Sequence, residues 1–234
     1  MRRYLVKVLE NITATPTVNL IRFKFNESDE FEFKAGQFIS VFVDKDNSKI
    51  VKPYSISSSP KEKKYIELCI KRVQGGYASN FLCDIKPGTE LMIFGPNGHF
   101  NLHEPIDSDV IFVATGSGIS PFRSMIEALL DMNLSYDVWL FFGVRNEEEI
   151  IYKKEFEELT KKHKNFHCII TLSRPSSLWK GEKGHVQEAI KKYVTDAKNK
   201  HIYICGIKEM VLDVIKLADQ IGFDKDNTHK EEYV

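Results

Sequence analysis

No apolar run in the 234-residue chain approaches the roughly 18 residues that a membrane-spanning helix needs, so no membrane span is expected. The start, MRRYLVKVLENITATP, has a basic head, but its apolar stretch is too short and too often charged for a signal peptide, and a cytoplasmic protein is expected. Cysteine pairing is missing too. Cys69, Cys83, Cys168 and Cys205 are far apart, with no C-x-x-C pair to build a zinc knuckle or an iron–sulfur loop. His163 and His167 straddle a helix end and a strand start, and His99 and His103 follow a glycine-proline turn, so no metal site is expected. Any redox centre must then be an organic cofactor. Nor is there an excess of positive charge: 33 Lys and Arg balance 33 Asp and Glu, which argues against a general nucleic-acid binder. Internal repeats and low-complexity segments are absent as well.

What is present divides into two patterns. The length suits two domains better than one core. Over the first hundred residues YLVKVLE, NLIRFKF, QFISVFV, KPYSIS, YIELCIKRV and ELMIFGP read as six short strands between turn signals such as KAGQ, DKDNS and KPGT, as in a small antiparallel barrel. GGYASNFLCDI, residues 75–85, switches to helical spacing. After the polar connector HEPIDSD, apolar strands VIFVATG, YDVWLFFG, NFHCIITLS and HIYICG alternate with the helical patterns PFRSMIEALLDM, EIIYKKEFEELTKKH, a segment from about Val186, and KEMVLDVIKLADQIG. That alternation predicts a parallel sheet covered on both faces. The boundary falls between residues 103 and 104, and the acidic triplet at 147–149 reads as a solvated helix start.

Three stretches stand out as chemistry. VKPYSISSSP, residues 51–60, is either an exposed serine-rich loop or a ligand wall with an aromatic face at Tyr54 and hydroxyls beside it. ATGSGISPF, residues 114–122, sets glycines between a buried strand and a helix, which suits a pyrophosphate, or else makes a tight strand-to-helix turn. Pro121 stands where the dinucleotide fingerprint has its third glycine, and no Gly-Lys-Ser/Thr follows, so neither a Rossmann motif nor a P-loop fits. In IYICGIKEM, Cys205 and Gly206 close a parallel strand at the end where open α/β sheets bind ligands, although Cys205 taken alone reads as a small buried hydrophobe.

Taken in order, GQF, KPYS, ELCIKRV, GYASNFLCDIKPG, GPNGHF, ATGSGISPFRSM, FFGVRNEEEIIY and IYICG resemble the ferredoxin–NADP reductase family almost end to end. Pattern and resemblance together imply a six-stranded antiparallel Greek-key barrel that binds FAD over residues 1–103. An α/β domain with a parallel five-stranded sheet, binding NAD(P), is implied over 104–234. The resemblance gives the serine run a role: Tyr54 stacks on the isoalloxazine ring, Ser55 lies near flavin N5, and Lys52, beside Pro53, replaces the family's phosphate-binding arginine without its planar fork. It sets Cys69, Ile70, Lys71 and Val73 against the flavin and its ribityl-phosphate arm, and Gly76, Ala78 and Ser79 at the FAD pyrophosphate. In the second domain it assigns Thr115, Gly116, Gly118 and Pro121 to the nicotinamide nucleotide, with Cys205 and Gly206 beside the nicotinamide. Ser173, Arg174 and Lys183 suit a 2′-phosphate and so NADPH rather than NADH. His185 replaces the adenine-stacking tyrosine of plant-type members, and a solvated basic loop explains the same cations. In the tail THKEEYV, Glu231 fits a family glutamate that positions nicotinamide or relays a proton. Tyr233 fits the aromatic that covers the flavin, unless the segment is a frayed charged end.

The implied activity is hydride transfer between NADPH and FAD and single-electron transfer to a separate carrier, ferredoxin or flavodoxin, with Ser55, Cys205 and Glu231 as the catalytic set. Two other readings are an NADH-dependent reductase component of an oxygenase, or cytochrome b5 reductase-like enzyme, and a non-catalytic FAD-binding electron-transfer subunit. Residues 1–103 carry a net charge of +4 and the remainder −4, as expected if an acidic carrier docks on the first half.

Overall fold

The computed structural model describes residues 2–26, 31–46, 48–132 and 134–233. Asn47, in the expected DKDNS turn, and Val234, which closes the tail, lie outside the described residues. The chain divides into two compact units, one of Met1–Leu102 with Ser120–Ala128, the other of His103–Ile119 with Leu129–Val234.

In the first unit, strands β1 (Arg2–Thr15), β2 (Val18–Phe25), β3 (Phe38–Lys45), β4 (Ser48–Ser55) and β5 (Ile66–Lys71) precede helix α1 (Tyr77–Asp84) and strand β6 (Glu90–Asn97). Period-two alternation builds them: Tyr4, Val6 and Val8 point inward along β1 while their neighbours face solvent. The sheet order is β4-β3-β6-β1-β2-β5, every pair antiparallel. Ile21, Phe23, Ile39, Val41, Leu68 and Ile93, all fully buried, form its core with Leu82 and Cys83 of α1. The two edge strands meet just past the end of β4, where Ile56 bridges Leu68 and the Ser57 amide donates to the Glu67 carbonyl at 2.8 Å.

The second sheet joins β7 (Asp109–Thr115), β8 (Val138–Val144), β9 (Phe166–Leu172), β10 (Glu182–Lys183), β11 (Lys200–Ile207) and β12 (Thr228–Tyr233) in the parallel order β10-β9-β8-β7-β11-β12. Five consecutive buried residues in β7 reflect cover on both faces. Its helices are α2 (Ile119–Leu130), α3 (Lys153–Lys162), α4 (Val186–Tyr193) and α5 (Lys208–Ile221), although most of α2 packs with the first unit. The sheet has six strands, not the expected five. A two-residue edge strand such as β10 is too short to carry a hydrophobic period.

The acidic triplet also differs from expectation. Glu147–Glu149 close a single 3₁₀ turn, and Tyr152 adopts a left-handed φ of 59° that no helix can continue, so α3 starts only at Lys153. Glu147 is engaged rather than merely solvated: its carboxylate accepts the Ser176 amide at 3.0 Å and the Ser176 hydroxyl at 2.6 Å, which holds its pKa below the usual range. At the other end of the domain Gly222 takes a φ of 105° and its amide caps α5 through the Ala218 carbonyl. No helix among the described residues is long and apolar enough to cross a membrane.

Candidate functional site

The serine run is not an exposed loop. Lys52 and Pro53 are exposed, and the proline is tolerated because β4 is an edge strand, but Ser55, Ser57 and Ser58 are buried. Tyr54 is half-buried against the barrel core, and burial, with Cys83 adding to it, pushes its hydroxyl up to about 12. Cys83 in turn approaches the Ile70 carbonyl at 3.7 Å, so Tyr54 and the β5 segment Cys69–Lys71 converge on the last turn of α1. Cys69 and Ile70 are buried, Lys71 is half-buried and Val73 is half exposed.

The turn before α1 is tied down by side chains. Ser79 Oγ accepts the Val73 amide and donates to the Gly76 carbonyl, both at 3.2 Å, and Asn80 Nδ2 donates to the Val73 carbonyl at 2.9 Å. Ala78 is buried beneath. Gly75, Gly76 and Tyr77 line a cleft of about 660 Å³ together with Lys45 and Asn80. Lys45 Nζ sits 5.1 Å from the Tyr77 ring centre, and Gly75 has a φ of +74° with open space where a Cβ would point. A helix N-terminus, an aromatic face and a cation fit the nucleotide half of FAD.

The second unit brings together five of its expected residues, Thr115, Gly116, Gly118, Cys205 and Gly206, at the carboxyl ends of β7 and β11. A Cβ on Gly118 would strike the Cys205 carbonyl, one on Gly206 would strike Thr115 Oγ1, and Gly116 takes a φ of +54°. Thr115 Oγ1 is buried with no hydrogen-bond partner. An orphan hydroxyl beside a glycine turn fits a nucleotide phosphate or ribose. Cys205 is fully buried in register with Ala114 and Glu231, and its thiol is raised by burial first and by Glu231 second, with a bond to Tyr233 opposing. Burial likewise raises Glu231. The tail is therefore not frayed, because β12 pairs with β11 as far as Tyr233 opposite Ile207.

Ser173, Arg174 and Lys183 meet at the carboxyl end of β9. The Ser173 amide donates to Val144 at 3.1 Å, the Arg174 amide donates to Arg145 at 2.8 Å, and Lys183 pairs with Leu172 in the sheet. Arg174 and Lys183 are exposed, as is His185 at the start of α4, whereas Pro121 is buried in the first turn of α2.

Four further residues stand out only in the fold. Thr171 Oγ1 is a second buried hydroxyl with no partner, and a Cβ on Gly143 would come within 3.3 Å of it and of Thr115. A glycine inside the strand pattern FFGV was the available signal for this notch. Glu67 and Arg123, both buried, lie within ELCIKRV and ATGSGISPFRSM, where neither residue type suggests a role by itself. An arginine flanked by Phe122, Met125 and Ile126 in an apolar helix pattern was the signal there.

The sequence matches two family models: an oxidoreductase FAD-binding domain over residues 5–102 and an oxidoreductase NAD-binding domain over residues 112–216. It is 33% identical over 226 residues to ferredoxin–NADP reductase B of Sorangium cellulosum, covering 94% of this chain and 93% of that one. It is also 33% identical over 235 residues to the phenol hydroxylase P5 protein of Acinetobacter pittii, covering 99% of this chain but only 65% of that longer protein. The fold matches a crystal structure of a ferredoxin NADP+ reductase from Neisseria gonorrhoeae with bound FAD and NADP at a TM-score of 0.87. That match has 23% identity and covers 99% of both chains.

Proposed function

We infer that this chain, which belongs to the ferredoxin–NADP reductase family of FAD- and NAD(P)-dependent oxidoreductases, takes reducing equivalents from NADPH and delivers them singly to a separate cytoplasmic carrier, a ferredoxin or a flavodoxin. When bound, FAD supplies the exchange between a two-electron nicotinamide and a one-electron acceptor. The protein's residues bind, orient and exclude water. Tyr54 offers an aromatic face, the Ser55 hydroxyl a hydrogen bond, and the Gly75–Ser79 turn an anion site for the FAD pyrophosphate. Thr115, Gly116 and Gly118 receive the nicotinamide nucleotide. Cys205 gives it an uncharged wall, since burial keeps the thiol protonated. Glu231, raised by the same cause, can hold a proton beside that wall.

The observation that carries the reading is the orphan Thr115 hydroxyl at a turn where side chains are sterically forbidden. Preference for NADPH rests on Ser173, Arg174 and Lys183, whose hydroxyl and two cations match a 2′-phosphate. A second reading, an NADH-dependent reductase of an oxygenase or a cytochrome b5 reductase-like enzyme, is favoured by the likeness to the phenol hydroxylase protein and by His185 in place of a stacking tyrosine. Anaerobic bleaching of the purified flavoprotein by NADPH and NADH in parallel separates them. Faster bleaching by NADPH supports the first reading and faster bleaching by NADH the second. FAD held but reduced by neither indicates an electron-transfer subunit, and a chain that cannot be loaded with FAD removes all three.

A further inference from the structure

The segment just beyond Tyr54 and Ser55 is fastened more heavily than closing a barrel requires. The Ile56 amide donates to the Gln37 carbonyl at 3.0 Å, and the Ser57 amide donates to the Glu67 carbonyl at 2.8 Å. The Glu67 amide donates to Ser58 Oγ at 3.0 Å, and Ser57 Oγ lies 3.0 Å from the Glu67 carbonyl and 3.2 Å from Glu67 Oε1. Arg123 Nη1 donates to the Ser57 carbonyl at 2.8 Å and lies 3.5 Å from Glu67 Oε1. Arg22 Nε pairs with Glu67 Oε2 at 2.9 Å, and its guanidinium lies over the Tyr65 ring at 4.6 Å.

At 1% exposure, Glu67 stands where β-strand alternation points it away from the barrel core, a position that would ordinarily be solvated. A carboxylate so buried is kept only where its partners hold it, and removing one partner leaves the others with an uncompensated charge. Three of those partners, Ser57, Ser58 and Arg123, meet on one short backbone stretch directly after Tyr54 and Ser55, and Arg22 holds the other carboxylate oxygen from β2. We propose that Glu67 and Arg123 are positioning residues, a charged clamp that fixes the Tyr54–Ser55 pair against the flavin. This rests on the functional reading above. The carboxylate orients Ser57, the guanidinium holds the Ser57 carbonyl, and the pair sets the direction in which the chain leaves β4. Arg123 adds a bond to Glu127 at 3.3 Å along its own helix, which limits its rotamers.

The test compares wild type, Glu67→Gln, Arg123→Met and Arg123→Lys as FAD-loaded proteins. It reads FAD content, the shape of the visible flavin band, and anaerobic stopped-flow reduction over a range of NADPH concentrations. Small misplacement of a reacting pair slows chemistry without abolishing binding, so Glu67→Gln and Arg123→Met should lower the limiting reduction rate about tenfold while FAD content and half-saturating NADPH stay put. The flavin band should shift as Tyr54 moves, and Arg123→Lys should recover most of the rate. Should Arg123→Met fail to fold, Glu67→Gln and Arg123→Lys decide. Wild-type rate and spectrum in Glu67→Gln, or a loss confined to FAD content, would overturn the clamp alone. A wild-type chain that holds no FAD, or that neither nucleotide bleaches, overturns the functional reading and the clamp with it.

Discussion

Gly118 carries a constraint that no other residue type could meet. Any Cβ there runs into the backbone carbonyl of Cys205, and a backbone atom cannot rotate aside as a side chain would. Gly118→Ala should therefore push the turn away from β11, costing about 1–3 kcal/mol of stability, the range typical of overpacking. It should also raise the half-saturating NADPH concentration severalfold while FAD content stays unchanged. Thermal melts and nucleotide titrations of flavin reduction check both, and an unaltered titration would detach Gly118 from the nucleotide. This residue was legible because glycines set between an apolar strand and a helix mark a place where the backbone must come close to something. Glu67 was not legible. A glutamate in an alternating strand reads as solvent-facing, and what buries it, the Ser57–Ser58 turn and Arg123, is brought there by partners 9 to 56 positions away in the chain. Thr171 stayed hidden for a similar reason, since a threonine in a strand is ordinary until its hydroxyl is found without a partner.

Strand β12 shows the same limit one level up. THKEEY has no apolar period, and a charged edge strand is held by backbone pairing to β11 rather than by burial of alternate side chains. Apolar runs such as VIFVAT and HIYICG, by contrast, announced β7 and β11 directly. Where β12 joins β11 it builds an aromatic stack: His201 Nδ1 lies 3.1 Å from His229 Nε2, the His229 ring stacks on Tyr203 at 4.3 Å, and His103 stacks on His201 at 4.8 Å. Burial first, and then His201 and His103, push the His229 pKa down to about 4. Burial and His103 lower His201 too, against Asp107 and Asp224. Unfolded histidines titrate near 6.5, so between about pH 6.5 and 4 the unfolded chain binds more protons than the folded one. The stability from this stack is thus complete above pH 6.5 and lost as pH falls toward 4. After a discount for the partial exposure of His229, the loss is on the order of 1–2 kcal/mol. Melting temperatures from pH 7 to 4.5 should fall less steeply in His229→Phe, which keeps the ring on Tyr203 but cannot charge. Parallel slopes for variant and wild type would show that the stack does not titrate.

Across the whole molecule, the change from period two to alternating strand and helix near residue 104 was visible in the sequence. The grouping of Ser120–Ala128 with the first unit was not. Periodicity states that a helix has an apolar face and says nothing of which surface the face meets. Charge is a second property that belongs to the chain as a whole, and it bears on the proposed acceptor. A net charge of +4 over residues 1–103 against −4 over the rest gives a neutral protein an uneven field, which would draw the proposed acidic carrier toward the first half in a docking step. Raising ionic strength from about 0.01 M to about 1 M shortens the screening length from about 30 Å to about 3 Å and should erase that attraction. The rate of reduction of an acidic ferredoxin or flavodoxin should then fall at least tenfold, as for other electrostatically steered encounters. Reduction of a small uncharged acceptor, measured in the same buffers, should change little, and this control removes any salt effect on NADPH binding itself. Equal salt dependence for the two acceptors would mean that the carrier is not recognised through the basic half. The oxygenase-component reading, whose partner need not be acidic, would then gain.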